Sequence, residues 1–273
     1  MHEHIVMALL SANFIKGRLS DGECINCGQK LAPGENGISR DAIPGLYGGK
    51  LGQGHKENLG NILSALLENS GEVRGWPSEA RFKLKGFLSR AVNCEPPIDE
   101  KFLHAYLYFF WTEVSAQIDR PELKGDCFFL GRGSVLDGDL STGERSHYLK
   151  TLLEKLVKLA QVDLVVVNEH HGCMYIIDVK RESIDDRSVG QMLRYYNAAA
   201  EIVYRGDRVL NISYVKPMLF IGSDKAFNAT GFPQYFFEII DVYSFRFIEE
   251  GPDLQFHNMR RQMISAKDVR AAR

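Results

Sequence analysis

Two aspartates and a lysine in the second half of the chain have the residue types and spacing of a metal-dependent hydrolytic site. Asp178 and Lys180 close one apolar run, and Asp163 begins an earlier one. Acids are costly inside apolar runs unless they are paired or bound to a metal. Two carboxylates and a main-chain carbonyl, such as that of Val179, form the partly open oxygen shell that Mg²⁺ prefers. Lys180 would then lie beside a metal-bound water or a phosphate oxygen.

The triplet Asp178-Val179-Lys180 has little specificity by itself, and its context makes it informative. The same form occurs at Asp99-Glu100-Lys101 and Glu122-Leu123-Lys124, at a predicted helix start and in a predicted loop. Residues two apart in a strand project from the same face. Only in a strand, therefore, do the carboxylate and the ammonium emerge side by side at a sheet edge.

Gln191 and Tyr195 add two polar side chains on the segment that follows. The apolar residues between 188 and 204 recur every three or four positions, which predicts a helix that Asp185 or Asp186 caps. Residues four apart on a helix are neighbours, so Gln191 and Tyr195 face the same way at the border of the apolar stripe.

A hairpin must bring the two aspartates together. Residues 162–167 and 174–179 are apolar and β-branched, and a short linker that ends in Gly172 joins them. A helix is predicted before the hairpin, at 144–159. The hairpin pairing would place Asp163 and Asp178 at one sheet edge.

The wider pattern predicts an α/β (α+β) fold, a mixed β-sheet flanked by helices. Further strands are predicted at 213–221 and 235–248, followed by a basic C-terminal tail, and an aromatic-rich helix is predicted at 99–117. We place the domain boundary near 118–125. Residues 1–118 would form a mainly helical recognition or regulatory domain, and residues 119–273 the domain with the aspartates.

The ordered set Asp163, Asp178-x-Lys180 and Gln191-x-x-x-Tyr195 resembles the PD-(D/E)xK, or restriction-endonuclease-like, nuclease superfamily. The QxxxY motif is typical of its RecB-like branch, and the spacing is similar to that of mismatch endonucleases and related defence nucleases. The resemblance covers about 144–221. It implies a restriction-endonuclease-like sheet in which Asp163, Asp178 and the Val179 carbonyl ligate Mg²⁺ or Mn²⁺. It further implies that Lys180 orients the attacking water, while Gln191 and Tyr195 position the scissile strand and brace the metal ligands.

Two features depart from that family. Its triplet more often carries Glu where this chain has Asp178, which is one methylene shorter. The family also has an acidic residue on a helix before the first core strand. Glu144 and Glu113 are both candidates, with 127–130 as a displaced first strand, and the sequence does not choose between them.

Basic residues that could contact nucleic acid are concentrated in three places. The chain has 33 Lys and Arg against 35 Asp and Glu, a net charge of −2, which excludes a polycationic nucleic-acid binder. In the segment 81–90 basic residues alternate with apolar ones, so it either presents basic side chains to DNA or is a solvated helix face. The candidate nucleic-acid-binding residues are Arg81, Lys83, Lys85, Arg90, Arg194, Arg260 and Arg261.

The cysteines indicate a reducing compartment. There are five, an odd number and too few for a disulfide framework, so a cytoplasmic location is expected. Cys24 and Cys27 have the spacing of half a zinc knuckle, but structural Zn²⁺ takes four ligands, and a loop with two free thiols is preferred. No apolar stretch reaches the roughly 20 residues that span a membrane, so no membrane partner is expected.

These observations favour a divalent-metal-dependent DNA endonuclease in a defence, restriction or repair role. Two alternatives remain open. One is a catalytically inactive DNA-binding or scaffold protein on the same fold. The other is a junction resolvase or transposition end-cleaving subunit, which a homodimeric form and a preference for branched DNA would favour.

Overall fold

The computed structural model divides the chain into two compact units. Unit 1 comprises Met1–Phe109 with Phe247–Asp253, and unit 2 comprises Phe110–Arg246 with Leu254–Arg273. The structure describes residues 19–20, 23–24, 63–64, 66–68, 70–92, 100–118, 120–131, 144–160, 162–180, 186–205, 210–222, 236–248 and 253–260. Cys27, one of the two cysteines with zinc-knuckle spacing, lies outside these residues.

Among its described residues, unit 1 contains helical segments and a short strand pair. The helices are α1 (Ser70–Arg74), α2 (Ser78–Val92) and α3 (Lys101–Phe109), and β1 (Leu19–Ser20) pairs antiparallel with β2 (Glu23–Cys24). The α2 and α3 helices pack together, with the rings of Phe87 and Phe102 edge to face at 5.8 Å. The apolar side chains of α3 are buried.

Unit 2 is built around a six-stranded mixed sheet. Its strands are β3 (Asp126–Phe129), β4 (Leu164–Asn168), β5 (Cys173–Lys180), β6 (Tyr214–Ile221), β7 (Asp241–Ile248) and β8 (Asp253–Asn258), and they neighbour one another in that order. The β3–β4 and β4–β5 pairs are antiparallel, whereas β5–β6 and β6–β7 are parallel. The parallel β5–β6 pair requires a crossover, which α6 (Asp186–Arg205) supplies.

Helices cover one face of this sheet because their apolar residues form continuous stripes. The α5 helix (Glu144–Ala160) contributes Leu153 and Leu156, and α6 contributes Tyr195 and Ala199, to a buried cluster with the sheet. Met192 of α6 belongs to a second cluster, with the β6 and β7 strands and the short helix α7 (Phe236–Ile239).

The other face of the sheet carries a segment that begins with α4 (Trp111–Gln117). The Trp111 indole donates to the Leu123 carbonyl at 2.8 Å, and its ring lies edge to face with Phe220 at 6.4 Å. The Asn168 amide, at the end of β4, donates to the carbonyls of Glu122 and Lys124, each at 3.1 Å. These hydrogen bonds from the Asn168 side-chain amide hold the segment, which includes a 3-10 turn at Pro121–Leu123, on the sheet.

The mixed α/β fold with a sheet flanked by helices is confirmed, but two local predictions are wrong. The predicted helix 99–117 is interrupted at Phe110, which leaves helical geometry with φ −124° and ψ 26°. The first part of the predicted strand 235–248 is the helix α7. In addition, the strand β8, which precedes the basic tail, was not predicted.

Two predictions about the whole chain remain open. The mainly helical character of residues 1–118 stays a prediction, because most of 1–62 lies outside the described residues. The boundary near 118–125 also stays a prediction. Within the described part of the chain, no helix is both long and apolar enough to cross a bilayer.

Candidate active site at the end of the central hairpin

The hairpin register places Asp163 and Asp178 at the same end of the β4–β5 pair. The last pair between β4 and β5 at this end is Leu164 with Ile177. Asp163 directly precedes Leu164, in a bend, and Asp178 directly follows Ile177, within β5. The hairpin therefore brings both aspartates to the same end of the sheet.

Asp178 and Lys180 form an ion pair at this end. The Lys180 ammonium lies 3.1 Å from Asp178 Oδ1 and 3.0 Å from Oδ2. The Asp178 side chain is 2% exposed, whereas that of Lys180 is 18% exposed. A carboxylate removed from water requires a compensating charge, and Lys180 supplies one within the same strand.

Gly131 allows the main chain to approach the Asp163 carboxylate closely. A Cβ at position 131 would lie 2.8 Å from Asp163 Oδ1 and 3.1 Å from Cζ of Phe129. The Leu130 N–H donates to the Asp163 carbonyl at 2.7 Å, which extends the β3–β4 pairing by one residue. The end of β3 thus forms one wall beside Asp163, and only glycine fits at 131 without moving that carboxylate.

Gln191 and Tyr195 lie on the helix that packs over the same face of the sheet. Tyr195 belongs to the buried cluster that includes Ile176, which is two residues before Asp178 in β5 and therefore on its face. The Gln191 side-chain amide donates to the Tyr195 hydroxyl. The QxxxY pair is thus internally hydrogen bonded and packed on the face from which Asp178 and Lys180 project.

The Val179 carbonyl points to the β4 side of β5, at a position beyond the end of β4. The Lys180 carbonyl accepts from the Gly222 N–H at 3.0 Å, on the β6 side of β5. Because carbonyls alternate in direction along a strand, the preceding carbonyl points to the β4 side. The β4–β5 pairs end at Leu164 and Ile177, so this carbonyl lies at the end of the hairpin that carries Asp163 and Asp178.

The donor set fits a hard divalent cation, although it is small. Two carboxylates and one carbonyl are oxygen ligands of the type that Mg²⁺ takes while keeping several waters. Within the described ranges, no group of three or more His, Cys, Asp or Glu side chains could hold a metal ion. A cation here would therefore depend on main-chain oxygen, water or substrate for its remaining ligands.

The helix acid that the resemblance implies is not settled by the structure. Glu144 is the first residue of α5, and its side chain lies outside the described residues. Glu113 is exposed in the first turn of α4. Residues 126–129 do form a strand, β3, which pairs antiparallel with β4 as the displaced-strand hypothesis required.

The predicted nucleic-acid-binding residues are distributed over both units. Arg81 donates to the carbonyls of Arg74 (3.3 Å) and Phe109 (3.2 Å), and Lys85 lies 2.7 Å from Asp253 Oδ2, so both have partners inside unit 1. Arg194 is exposed on α6, and Arg260 is exposed after β8. The side chains of Lys83 and Arg90, and all of Arg261, lie outside the described residues.

A separate polar group lies on the sheet face away from the aspartates. Asp241 pairs with Arg120 and, at 3.0 Å, with Lys216. Burial raises the pKa of the Cys173 thiol above its ordinary value of 9.0. Burial, together with a hydrogen bond to Cys173, raises the pKa of Tyr214 to about 12. Neither Cys173 nor Tyr214 is therefore a thiolate or phenolate nucleophile at neutral pH.

Two residues near the site were missed from the sequence. Gly131 directly follows the predicted strand 127–130, and a glycine at a strand end is a signal of close approach. Arg187 precedes Gln191 by four residues, one helical turn, and is exposed. The sequence shows that Arg187 lies one turn before Gln191, but only the packing of α6 shows which side of the helix carries Arg187.

The arrangement offers paired carboxylates, an ammonium and a polar helix border at one end of a hairpin. Such a set can bind a divalent cation and hold a phosphodiester beside it. Comparison of the chain with protein-family models, curated proteins and solved structures found no match.

Proposed function

We propose that the protein is a DNA endonuclease that depends on Mg²⁺ or Mn²⁺ and hydrolyses phosphodiester bonds, on a restriction-endonuclease-like sheet. The single observation that carries the proposal is that Asp163 and Asp178 lie at the same end of the β4–β5 hairpin. Lys180 lies beside Asp178, and the Gln191–Tyr195 pair is packed over the same face. The motif residues of β5 and α6 thus lie on the same side of the sheet.

Asp163, Asp178 and the Val179 carbonyl would hold the metal. When bound, it supplies positive charge that lowers the pKa of water and offsets negative charge on the reacting phosphoryl group. The protein contributes the two carboxylates from one end of the β4–β5 hairpin, which main-chain pairing holds in place. Gly131 keeps the Asp163 carboxylate in place by leaving no side chain against it.

Lys180 would act on the water and the phosphate. Its ammonium has three N–H donors and is partly exposed, while its partner Asp178 is buried. It can therefore hold Asp178 and also donate to an attacking water or to a phosphoryl oxygen at the solvent side. Both roles stabilise charge that develops during phosphodiester hydrolysis.

Gln191 and Tyr195 would orient the DNA strand. The hydrogen bond between them fixes two side chains that otherwise rotate, and burial of the Tyr195 ring anchors the pair. Pre-set donors of this kind position a substrate without further loss of side-chain entropy.

A second candidate function, a non-catalytic DNA-binding or scaffold protein, is favoured by one observation. Asp178 and Lys180 already neutralise each other, and the described site offers two carboxylates rather than three. An edge ion pair of this kind can be purely structural. This candidate predicts DNA binding without cleavage and no Mn²⁺ bound at Asp163.

Cleavage assays separate the two candidates. The full chain is incubated with Mg²⁺ or Mn²⁺ and linear, mismatched or four-way-junction DNA. The nuclease proposal expects cleavage that Asp178→Asn reduces at least about 100-fold. Asp126→Asn, which removes an exposed carboxylate at the start of β3, is the matched control and should cleave normally. Equal activity of wild type and Asp178→Asn would contradict the proposal.

Direct metal binding gives a readout independent of turnover. Mn²⁺ titration followed by electron paramagnetic resonance should show a site that Asp163→Asn and Asp178→Asn weaken and Asp126→Asn does not. A preference for the junction substrate would indicate the resolvase or end-cleaving role. DNA retention with neither cleavage nor a Mn²⁺ site would instead support the scaffold candidate.

A further inference from the structure

We propose that Arg187, Gly190 and Arg194 form a phosphate-docking stripe on α6, which receives the DNA backbone next to the candidate active site. The proposal rests on the proposed function and adds the surface that holds the substrate. The three residues are called the α6 stripe below. Of these three residues, only Arg194 was a candidate from the sequence.

The α6 stripe lies at the border of the buried face of the helix. Arg187 and Arg194 are four and three residues from Gln191, so all three share one side of the helix. Arg187 and Arg194 are exposed, Gln191 is half-buried, and Tyr195 is buried against the sheet. Both guanidinium groups are therefore carried on the edge of α6 that holds the QxxxY pair.

Gly190 has no packing role that would explain it. A Cβ at this position would meet no atom within 4 Å. A helix-interior glycine costs roughly 0.5–1 kcal/mol relative to alanine, so the helix is less stable here with no gain in internal packing. The missing side chain leaves the helix surface bare between Arg187 and Arg194, where a sugar-phosphate chain can approach closely.

The charged side chains in the middle of α6 are arginines. The helix begins at Asp186, and from Arg187 to Ala200 the sequence contains two arginines and no acidic residue. Farther along, Arg205 is paired with Glu201 at 2.7 Å. Guanidinium groups match phosphate oxygens with two parallel N–H donors. Residues 187–200, which include Gln191, therefore carry a net positive charge.

The spacing suits two phosphates of one strand. Seven helical residues span roughly 10 Å along the axis, so the two long arginine side chains can reach separate phosphates of one strand. Gln191 lies between the two arginines along the helix. A strand that contacts both guanidiniums would present an intermediate phosphate to the end of the β4–β5 hairpin. Such contacts fix register and carry no base sequence.

The test measures DNA binding of the full chain without divalent metal, so that cleavage does not interfere. A fluorescent duplex oligonucleotide is titrated with wild type, Arg187→Ala, Arg194→Ala and the double variant, at several salt concentrations. We expect each single change to weaken binding severalfold and to reduce the salt slope by about one. Arg205→Ala, a change of the same type at the paired end of α6, is the control and should bind like wild type.

A Gly190→Glu variant tests the bare surface separately. It adds an exposed charge where the helix has room, so the fold should be retained by circular dichroism. DNA binding should weaken at least about tenfold, because the new carboxylate faces the phosphates. Gly190→Gln, similar in size without the charge, should weaken binding less.

The outcomes of the α6 stripe test and of the proposed function are separable. Normal DNA affinity and salt slope in the Arg187→Ala/Arg194→Ala variant would overturn the stripe, even if the wild type cleaves DNA. Weakened binding in that variant, with no cleavage by the wild type under any metal condition, would support the stripe and contradict the nuclease. A wild type that does not bind DNA would overturn both.

Discussion

The Asp178 carboxylate lies within 3.1 Å of the Lys180 ammonium through each of its oxygens, two residues apart in one strand. Removal of one partner of a buried pair leaves an uncompensated charge. We therefore expect Lys180→Met to destabilise unit 2 by on the order of 3 kcal/mol, measured by urea denaturation.

The double variant is the informative control for this pair. Asp178→Asn combined with Lys180→Met removes both charges, so it should recover most of the stability that Lys180→Met loses. Equal stability of wild type and Lys180→Met would show that the ion pair is not required to keep Asp178 buried.

Substitution of Gly131 should separate metal affinity from stability. A Cβ at 131 would press on Asp163 Oδ1 at 2.8 Å, and the carboxylate can turn away only by leaving its place. We expect Gly131→Ala to weaken Mn²⁺ binding about tenfold, as for other changes beside a metal ligand, with a small loss of stability.

Gly125→Ala is the matched comparison for Gly131→Ala. Its Cβ would lie 2.3 Å from the main-chain oxygen of Val167, which paired strands hold in place. It should therefore lose about 1–3 kcal/mol of stability. Unchanged Mn²⁺ affinity in Gly131→Ala would remove Gly131 from the site.

Stability should fall at alkaline pH. The folded state raises the pKa of Cys173 above 9.0 and that of Tyr214 from 10.0 to about 12. The unfolded chain then releases these protons at lower pH than the folded chain, so their stabilisation is complete below about pH 9 and declines as the pH rises toward 12. Urea midpoints should be similar at pH 8 and 9 and should decrease at pH 10 and again at pH 11.

A Tyr214→Phe variant identifies one source of this pH dependence. Phenylalanine cannot ionise, so the decline between pH 10 and 12 should be shallower than in wild type. An identical decline in both proteins would assign it to other groups, such as Tyr175, whose pKa burial also raises.

Gly190→Ala should stabilise the protein. The position is helical and open, so alanine adds helix propensity without a clash. The expected gain is roughly 0.5–1 kcal/mol, measured as an increase in the urea midpoint. Gly172→Ala is the opposite control, because Gly172 has a φ of +64° and its Cβ would lie 2.9 Å from Ser213 Oγ. A loss of stability in Gly190→Ala would mean that the bare surface has a structural role.

The hairpin and its two helices were predictable because their apolar residues follow simple patterns. Apolar residues at intervals of three and four define α5 and α6, and the predicted helix ends agree within two residues. The β4–β5 strands are apolar runs with a glycine-containing linker between them. The placement of Asp163 and Asp178 at one end of the hairpin follows from that pairing, whereas the Asp178–Lys180 distances required side-chain positions.

Three elements could not be assigned correctly because their signals conflicted. The break at Phe110 has no proline or glycine, and aromatic residues continue on both sides of it. Phe236 and Phe237 have strong strand propensity, but α7 forms because both rings are buried against the sheet. The alternation of Leu254 and Phe256 with polar residues was a readable strand signal in β8, which the basic residues after Met259 obscured.

Asp253 has a consequence for any attempt to divide the chain. It belongs to unit 1, where it accepts hydrogen bonds from Lys85 and Tyr106, yet it follows those residues by more than 140 positions. A protease that cut between Phe109 and Phe110 would leave Phe247–Asp253 on the larger fragment. The first 109 residues expressed alone would lack the carboxylate that pairs with Lys85. Unit 1 is completed only after Phe110–Arg246 of unit 2 has been synthesised, so it cannot finish folding before that segment leaves the ribosome.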